Sequence, residues 1–151
     1  MKKINANAYR DMLRYGVNYL DKHCAIVNDL NVFPVPDGDT GTNMVMTMKN
    51  GLLSLGQDEA SLPELAQSFA NATLFGARGN SGVIVSQFFK GLSQGLGDSA
   101  EADCRSLSLA LQRGCECACV HVCVYTCVCV WRFEILSREA REVLREKGTM
   151  E

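Results

Sequence analysis

Asp37, Gly38 and Asp39 place two carboxylates on either side of a single glycine. Such a pair repels itself unless a cation sits between its members. A hard divalent ion such as Mg²⁺ accepts carboxylate oxygens, keeps waters and completes its shell with phosphate. The glycine lets the backbone turn so that both side chains converge, and Asn31 and Asn43 flank the pair with further oxygens. The simpler reading is an Asp-Gly turn whose second aspartate caps a helix. A second polar segment, Gly76-Ala77-Arg78-Gly79-Asn80-Ser81-Gly82, runs into an apolar stretch. A glycine-rich loop opening a helix exposes backbone N–H groups at the positive end of the helix dipole, which suits phosphate. Asn80 and Ser81 add hydrogen-bonding side chains and Arg78 adds charge. The segment lacks the Gly-Lys-Ser/Thr of a Walker loop, and no strand precedes it as a dinucleotide fingerprint requires. The simpler reading here is an interhelical turn. Together, a metal-suited turn and a phosphate-suited loop, each opening a helix, fit binding of a magnesium-nucleotide and phosphoryl transfer by positioning and charge neutralisation.

The elements that must position these residues read as helices. Tyr9, Leu13, Val17, Leu20, Cys24 and Val27 recur at steps of three and four, with Asn5 or Asn7 as cap, and this helix stops near Asn31. Pro34 and Pro36 hold Val32-Phe33-Pro34-Val35-Pro36 extended. A second helix carries Val45, Met48, Leu52 and Leu55. Ser61-Leu62-Pro63-Glu64 opens a third with a capping box, running through Leu65 and Phe69 to about Phe75. A fourth is expected from Val83 to the glycines at 95 and 97, a fifth from Leu107 to Arg113, and a last from Ser137 to Lys147. Nothing before residue 115 alternates like a strand, and the predicted fold class is all-α. The Met44, Met46 and Met48 run reads as core packing, and His23 as a solvated helix residue.

The two polar motifs extend into longer signatures. Asn31-Val32-Phe33-Pro34-Val35-Pro36-Asp37-Gly38-Asp39-Thr40-Gly41-Thr42-Asn43-Met44 resembles the signature of the nucleotide-binding domain of bacterial fatty acid kinase, a relative of the L subunit of dihydroxyacetone kinase. Leu74-Phe75-Gly76-Ala77-Arg78-Gly79-Asn80-Ser81-Gly82-Val83-Ile84-Val85-Ser86-Gln87 resembles the second signature of the same family. The likeness runs from about Lys3 to Gly114. It implies an antiparallel helical barrel closed at one end by a site for ATP and two Mg²⁺ ions. By this resemblance Asp37 and Asp39 are the metal-binding, catalytic aspartates, and Asn31 stands nearest to a third ligand. Thr42, Asn43, Gly79, Asn80 and Ser81 are phosphate-side contacts. In fatty acid kinases the acceptor is a carboxylate presented by a separate fatty-acid-binding protein; in dihydroxyacetone kinases it is a hydroxyl. The Val-Pro-Asp-Gly-Asp-Thr-Gly form favours the fatty acid branch.

The resemblance breaks after Gly114, where a Pro-Val-Glu-Gly-Thr loop of the family is missing. Residues 1–114 are thus the expected kinase domain, 115–133 a foreign segment, and 134–151 a family-like helix, so that the barrel is expected to be incomplete and to expose apolar faces. These faces make association with another chain, a homodimer included, an expectation. Eight cysteines occur, and seven fall between Cys104 and Cys129. From Cys115 to Phe133 cysteine and valine alternate with other residues, a period of two that predicts a strand with no partner. TGT and GTG are successive codons of a TG repeat, and such a repeat or a frameshift within a kinase gene accounts for the tract; mixed cysteine and valine codons at the locus would exclude that origin. The alternative is a thiol metal site built from Cys115, Cys117, Cys119, Cys123, Cys127 and Cys129, although the spacing departs from Cys-x₂-Cys; His121 is then a bystander. Charge is nearly balanced, with 15 Lys and Arg against 17 Asp and Glu, which leaves no electrostatic footprint for nucleic acid. Met1 to Arg10 lacks the apolar core of a secretory signal, and no apolar run is long enough to span a bilayer as a helix. A cytoplasmic domain is the expectation.

Overall fold

The computed structural model describes residues 3–31, 36–56 and 61–123. Helices α1 (Ala6–Lys22), α2 (Cys24–Asp29), α3 (Thr40–Leu53), α4 (Leu62–Phe75) and α5 (Gly79–Leu96) follow one another, and residues 104–119 form a further helix, α6. No strand occurs among the described residues; backbone pairing between Ile4 and Ala102 is an isolated bridge. The all-α expectation holds. Residues up to Cys119 form one compact unit, and residues 120–123, the described part of a second, are also helical.

Local sequence sets most of the helix ends. The Asn5 side chain accepts from the Ala8 amide and starts α1. The expected single helix to Asn31 is broken at His23, whose ring stacks on Tyr19 and whose Nδ1 pairs with the Tyr19 carbonyl, so that α2 restarts at Cys24. The capping box at Ser61 and Glu64 forms as expected. Glu64 is held below the usual carboxylate range, first by the backbone N–H of Ser61 and then by its hydroxyl. Asp103 caps α6 through the Ser106 amide, 2.7 Å away, and this bond likewise lowers its pKa. Both caps therefore strengthen their helices above the usual carboxylate range and weaken as pH falls through it.

Glycines decide both the end of α5 and its contact with α6. The helix expected to run to the glycines at 95 and 97 ends at Leu96, and Gly97, with a φ of 61°, has the left-handed conformation glycine favours. Gly95 remains helical because α6 crosses there: a Cβ on it would lie 2.5 Å from Ala110 Cα, and one on Gly91 would lie 2.8 Å from Cys117 Sγ. Gly114, in turn, abuts Phe88. The strand expected from Cys115 is helix instead, at least to residue 123. Ala110, Gly114 and Cys117 recur at helical spacing on the face turned to α5, so small inward residues hide the period that large apolar ones would have shown. Glu116 supports this turn through Arg113 and Gln112. The remainder of the tract, residues 124–133, the extended segment at 32–35 and the helix expected at 137–147 lie outside the described residues.

The core lies between α1, α4, α5 and α6. Tyr9, Leu13 and Val17 of α1 meet Leu65, Ala66, Phe69 and Ala70 of α4, with Phe89, Leu92 and Leu96 of α5 and Ala110 of α6. Phe69 is fully buried and meets the Phe89 ring edge-on at 4.7 Å. Of the methionine run, Met48 is buried in this core and Met46 is exposed. Lys49 of α3 is bonded to Asp21 of α1 at 2.7 Å. Contacts of Gly51 with Phe69 and Thr73, and of Ser54 with Ser68, make α3 and α4 antiparallel. By contrast, Asn43 meets Gly79 and Thr47 meets Gly82, so α3 and α5 run in the same direction.

Phe69→Ala should destabilise the chain by about 3–5 kcal/mol in denaturant unfolding, since it empties the centre of the core. Burial pushes the Tyr9 phenol well above its usual range. The unfolded chain then releases this proton first, so stability should fall as pH rises past about 10, and Tyr9→Phe should remove that part of the alkaline slope.

Candidate functional site

The parallel course of α3 and α5 brings their amino ends together, and with them the two polar motifs. The turn before α3 is made at Gly38, with a φ of 65°. Asp37 beside it is exposed and Asp39 half-buried. Asn31 donates its side-chain N–H to Asp37 and so orients that carboxylate. Asp39 occupies the N-cap position of α3, but its side chain makes no cap bond. The capping role that the simpler reading gave to the second aspartate is thus not the one it performs. Thr42 is held from α2: its amide donates to Asn28 Oδ1 at 3.1 Å, and Asn28 Nδ2 donates to the Thr42 hydroxyl at 3.0 Å.

The glycine-rich segment is shorter as a loop than the sequence suggested. Only residues 76–78 are non-helical, and α5 begins at Gly79, four residues before the expected Val83. Gly79, Asn80 and Ser81 therefore form the first turn of a helix, where the opening amides have no intrahelical acceptor. No hydrogen bond within the described residues takes these three amides, whereas the Gly82 amide closes the first helical bond to the Arg78 carbonyl. Gly79 has a φ of 57°, and a Cβ there would lie 2.6 Å from Asn43 Nδ2. Glycine is required twice over, by backbone angle and by the closeness of α3.

Thr47 joins the two halves. It is fully buried, donates its hydroxyl to the Asn43 carbonyl at 2.7 Å, and accepts the Arg78 amide at 3.0 Å. Gly82 packs against that hydroxyl so closely that a Cβ would collide with it. Asn50 repeats the arrangement one turn further along, bonded to the Ala72 carbonyl at 2.8 Å and lying against Gly76. Asn43 and Gly79 are in direct contact, and the Asn43 amide donates to the Asp39 carbonyl at 2.8 Å, so both motifs border Asn43. The sequence reading singled out neither Asn28, Thr47 nor Asn50. Thr47 left one trace, a polar residue beside Met48 on the core side of α3; Asn28 left none, because its partner lies across a turn.

Among the described residues, no three His, Cys, Asp or Glu side chains gather into a group able to hold a metal ion. The cysteines at 115, 117, 119 and 123 are free and belong to helix, so the thiol metal site does not form from them; Cys127 and Cys129 lie outside the described residues. Two carboxylates beside a cluster of free amides are the donor set that suits Mg²⁺ carrying phosphate, an ion that binds through one or two carboxylates and lets phosphate and water complete its shell. The residues present thus fit that ion when a nucleotide brings the remaining oxygens.

Two substitutions test the junction. Thr47→Val keeps the volume but orphans the Arg78 amide, and should destabilise the chain by about 1–3 kcal/mol, read by denaturant unfolding. Gly79→Ala should be at least as damaging and should displace Asn43, visible as shifted Asn43 side-chain amide resonances.

Residues 34–122 match the DAK2 domain family. The chain is also similar to uncharacterized proteins of Staphylococcus aureus strains USA300 and COL, with 40% identity over 119 residues, covering 78% of this chain and 22% of the length of each relative. No helix among the described residues is long and apolar enough to cross a membrane. With both polar motifs inside the matched span and an all-helical architecture around them, the chain belongs to the DAK2 domain family, whose members bind nucleotide in a kinase-like role.

Proposed function

We propose that this domain binds ATP with Mg²⁺ and transfers the γ-phosphoryl group to a fatty acid carboxylate presented by a separate fatty-acid-binding protein, giving an acyl phosphate. The observation that carries the proposal is the meeting of two helix amino ends, one preceded by Asp37-Gly38-Asp39 and the other opening with the free amides of Gly79, Asn80 and Ser81. Each helix end contributes partial positive charge where phosphate would lie. Asp37 and Asp39 hold the metal on one side, with Asn31 beside them, and Thr42 and Asn43 line the wall between the two ends. Magnesium, when bound, neutralises charge on the phosphate oxygens. The chain's own part is to fix the phosphates against the α5 amides and to keep the carboxylates turned toward them.

The Val-Pro-Asp-Gly-Asp-Thr-Gly form supports the carboxylate acceptor over the hydroxyl of dihydroxyacetone. A second reading, nucleotide binding without transfer, rests on the departure after Gly114, where the Cys/Val tract stands in place of the family's Pro-Val-Glu-Gly-Thr loop.

Calorimetric titration of the reduced chain with ATP should give binding that requires Mg²⁺. Asp37→Ala and Asp39→Ala should each abolish it, while the circular dichroism of a helical protein persists. Binding that is indifferent to Mg²⁺ or to both substitutions would refute the site. With binding established, trapping of acyl phosphate by hydroxylamine in the presence of a loaded fatty-acid-binding protein separates the carboxylate reading from phosphorylation of dihydroxyacetone.

A further inference from the structure

We infer that Asn28 is a positioning residue: it caps α3 from outside the helix and thereby keeps the Asp39 carboxylate available to a cation. The inference rests on the reading of Asp39 as a metal-binding group and adds to it a residue from α2.

Among the described residues, three helices are capped in the ordinary way. Asn5 accepts from Ala8 at 3.0 Å, Ser61 accepts from Glu64, and Asp103 accepts from Ser106 at 2.7 Å. In the first two the cap residue has extended backbone, with ψ of 179° and 160°, the conformation from which a cap side chain reaches forward to the third helical amide. Asp39 has a ψ of 1° and makes no such bond. Yet Thr42, three residues on, is not left without an acceptor, because Asn28 Oδ1 takes its amide at 3.1 Å and Asn28 Nδ2 donates to its hydroxyl at 3.0 Å. A neutral amide thus does what the carboxylate would otherwise do. An aspartate that accepts the N3 amide spends an oxygen lone pair and is turned toward the helix; one relieved of that bond can face a cation.

The chain is shaped to let Asn28 arrive. A Cβ on Gly41 would lie 2.5 Å from the Cys24 carbonyl and 3.0 Å from Asn28 Oδ1, so glycine in the first turn of α3 is what admits α2. The break at His23 serves the same end, since it restarts the chain as α2 beside that turn. Asn31, just past α2, holds Asp37 by a hydrogen bond. One short segment accordingly sets both carboxylates, Asp37 by orienting it and Asp39 by releasing it.

The experiment is a double-variant cycle on the nucleotide-free chain, read as melting temperature, followed by ATP calorimetry at varied Mg²⁺. Asp39→Ala should barely change the melting temperature of the native chain, but should lower it clearly in the Asn28→Ala background, where Asp39 has taken over the cap. Asn28→Asp, which retains an acceptor for the Thr42 amide, should restore the melting temperature. The Mg²⁺ concentration for half-maximal ATP binding should rise roughly fivefold in Asn28→Ala, the factor that a capping bond of ordinary strength represents. Equal effects of Asp39→Ala in both backgrounds, or an unchanged Mg²⁺ midpoint, would overturn the inference. If Asn28→Ala does not fold, Asn28→Ser, too short to reach the Thr42 amide, replaces it in the same cycle. Absence of ATP binding by the native chain would refute the proposed function, whereas the melting cycle would still decide the role of Asn28.

Discussion

A single buried hydroxyl holds the two motifs of this domain in register. Thr47 donates to the carbonyl of Asn43 in its own helix and accepts the amide of Arg78 from the turn before α5. Buried polar groups are costly unless bonded, and here one hydroxyl satisfies itself and a backbone amide that has no helical acceptor. Because the bond links Thr47, two turns into α3, to Arg78, the residue before α5, one helix cannot slide along the other without leaving an amide unpaired. Gly79 and Gly82 remove the Cβ atoms that would keep the helices apart. The site follows from this closeness, since two helix ends that meet create a region of positive potential neither has alone.

The remaining architecture supports that junction from behind. The Phe69 and Phe89 rings and the apolar face of α1 fix α4 against α5. Helix α6 is seated on α5 by small residues, with Gly91 and Gly95 facing Cys117 and Ala110. Close approach of this kind gains its stability from dispersion over many atom pairs rather than from large side chains. Such an interface is silent in a hydrophobicity pattern, which explains why a cysteine-rich segment with an apparent period of two belongs to a helix.

Much of the fold was legible in the sequence because it depends on neighbours in the chain. The Ser61–Glu64 box and the stripe of Tyr9, Leu13 and Val17 are local signals with local causes, and the structure places them as read, while of the two candidate caps of α1, Asn5 and Asn7, it is Asn5 that caps. The motifs at 37–43 and 76–82 read as polar, glycine-bearing helix openings for the same reason. Where reading by neighbours differs from the structure, a partner distant in sequence is responsible: α5 starts early because Gly79 can lie on Asn43.

Residue types and spacing by themselves determined helices up to residue 114, the Ser61–Glu64 capping box, and two segments whose chemistry suits a divalent cation and a phosphate. They could not determine that these segments meet, since that depends on α3 and α5 running in the same direction with Thr47 between them. Nor could they name Asn28, whose bonds to Thr42 span 14 residues and a change of helix. Hydrogen bonds to positions within a turn are written in the order of residues; those between helices exist only once the core has fixed which faces touch.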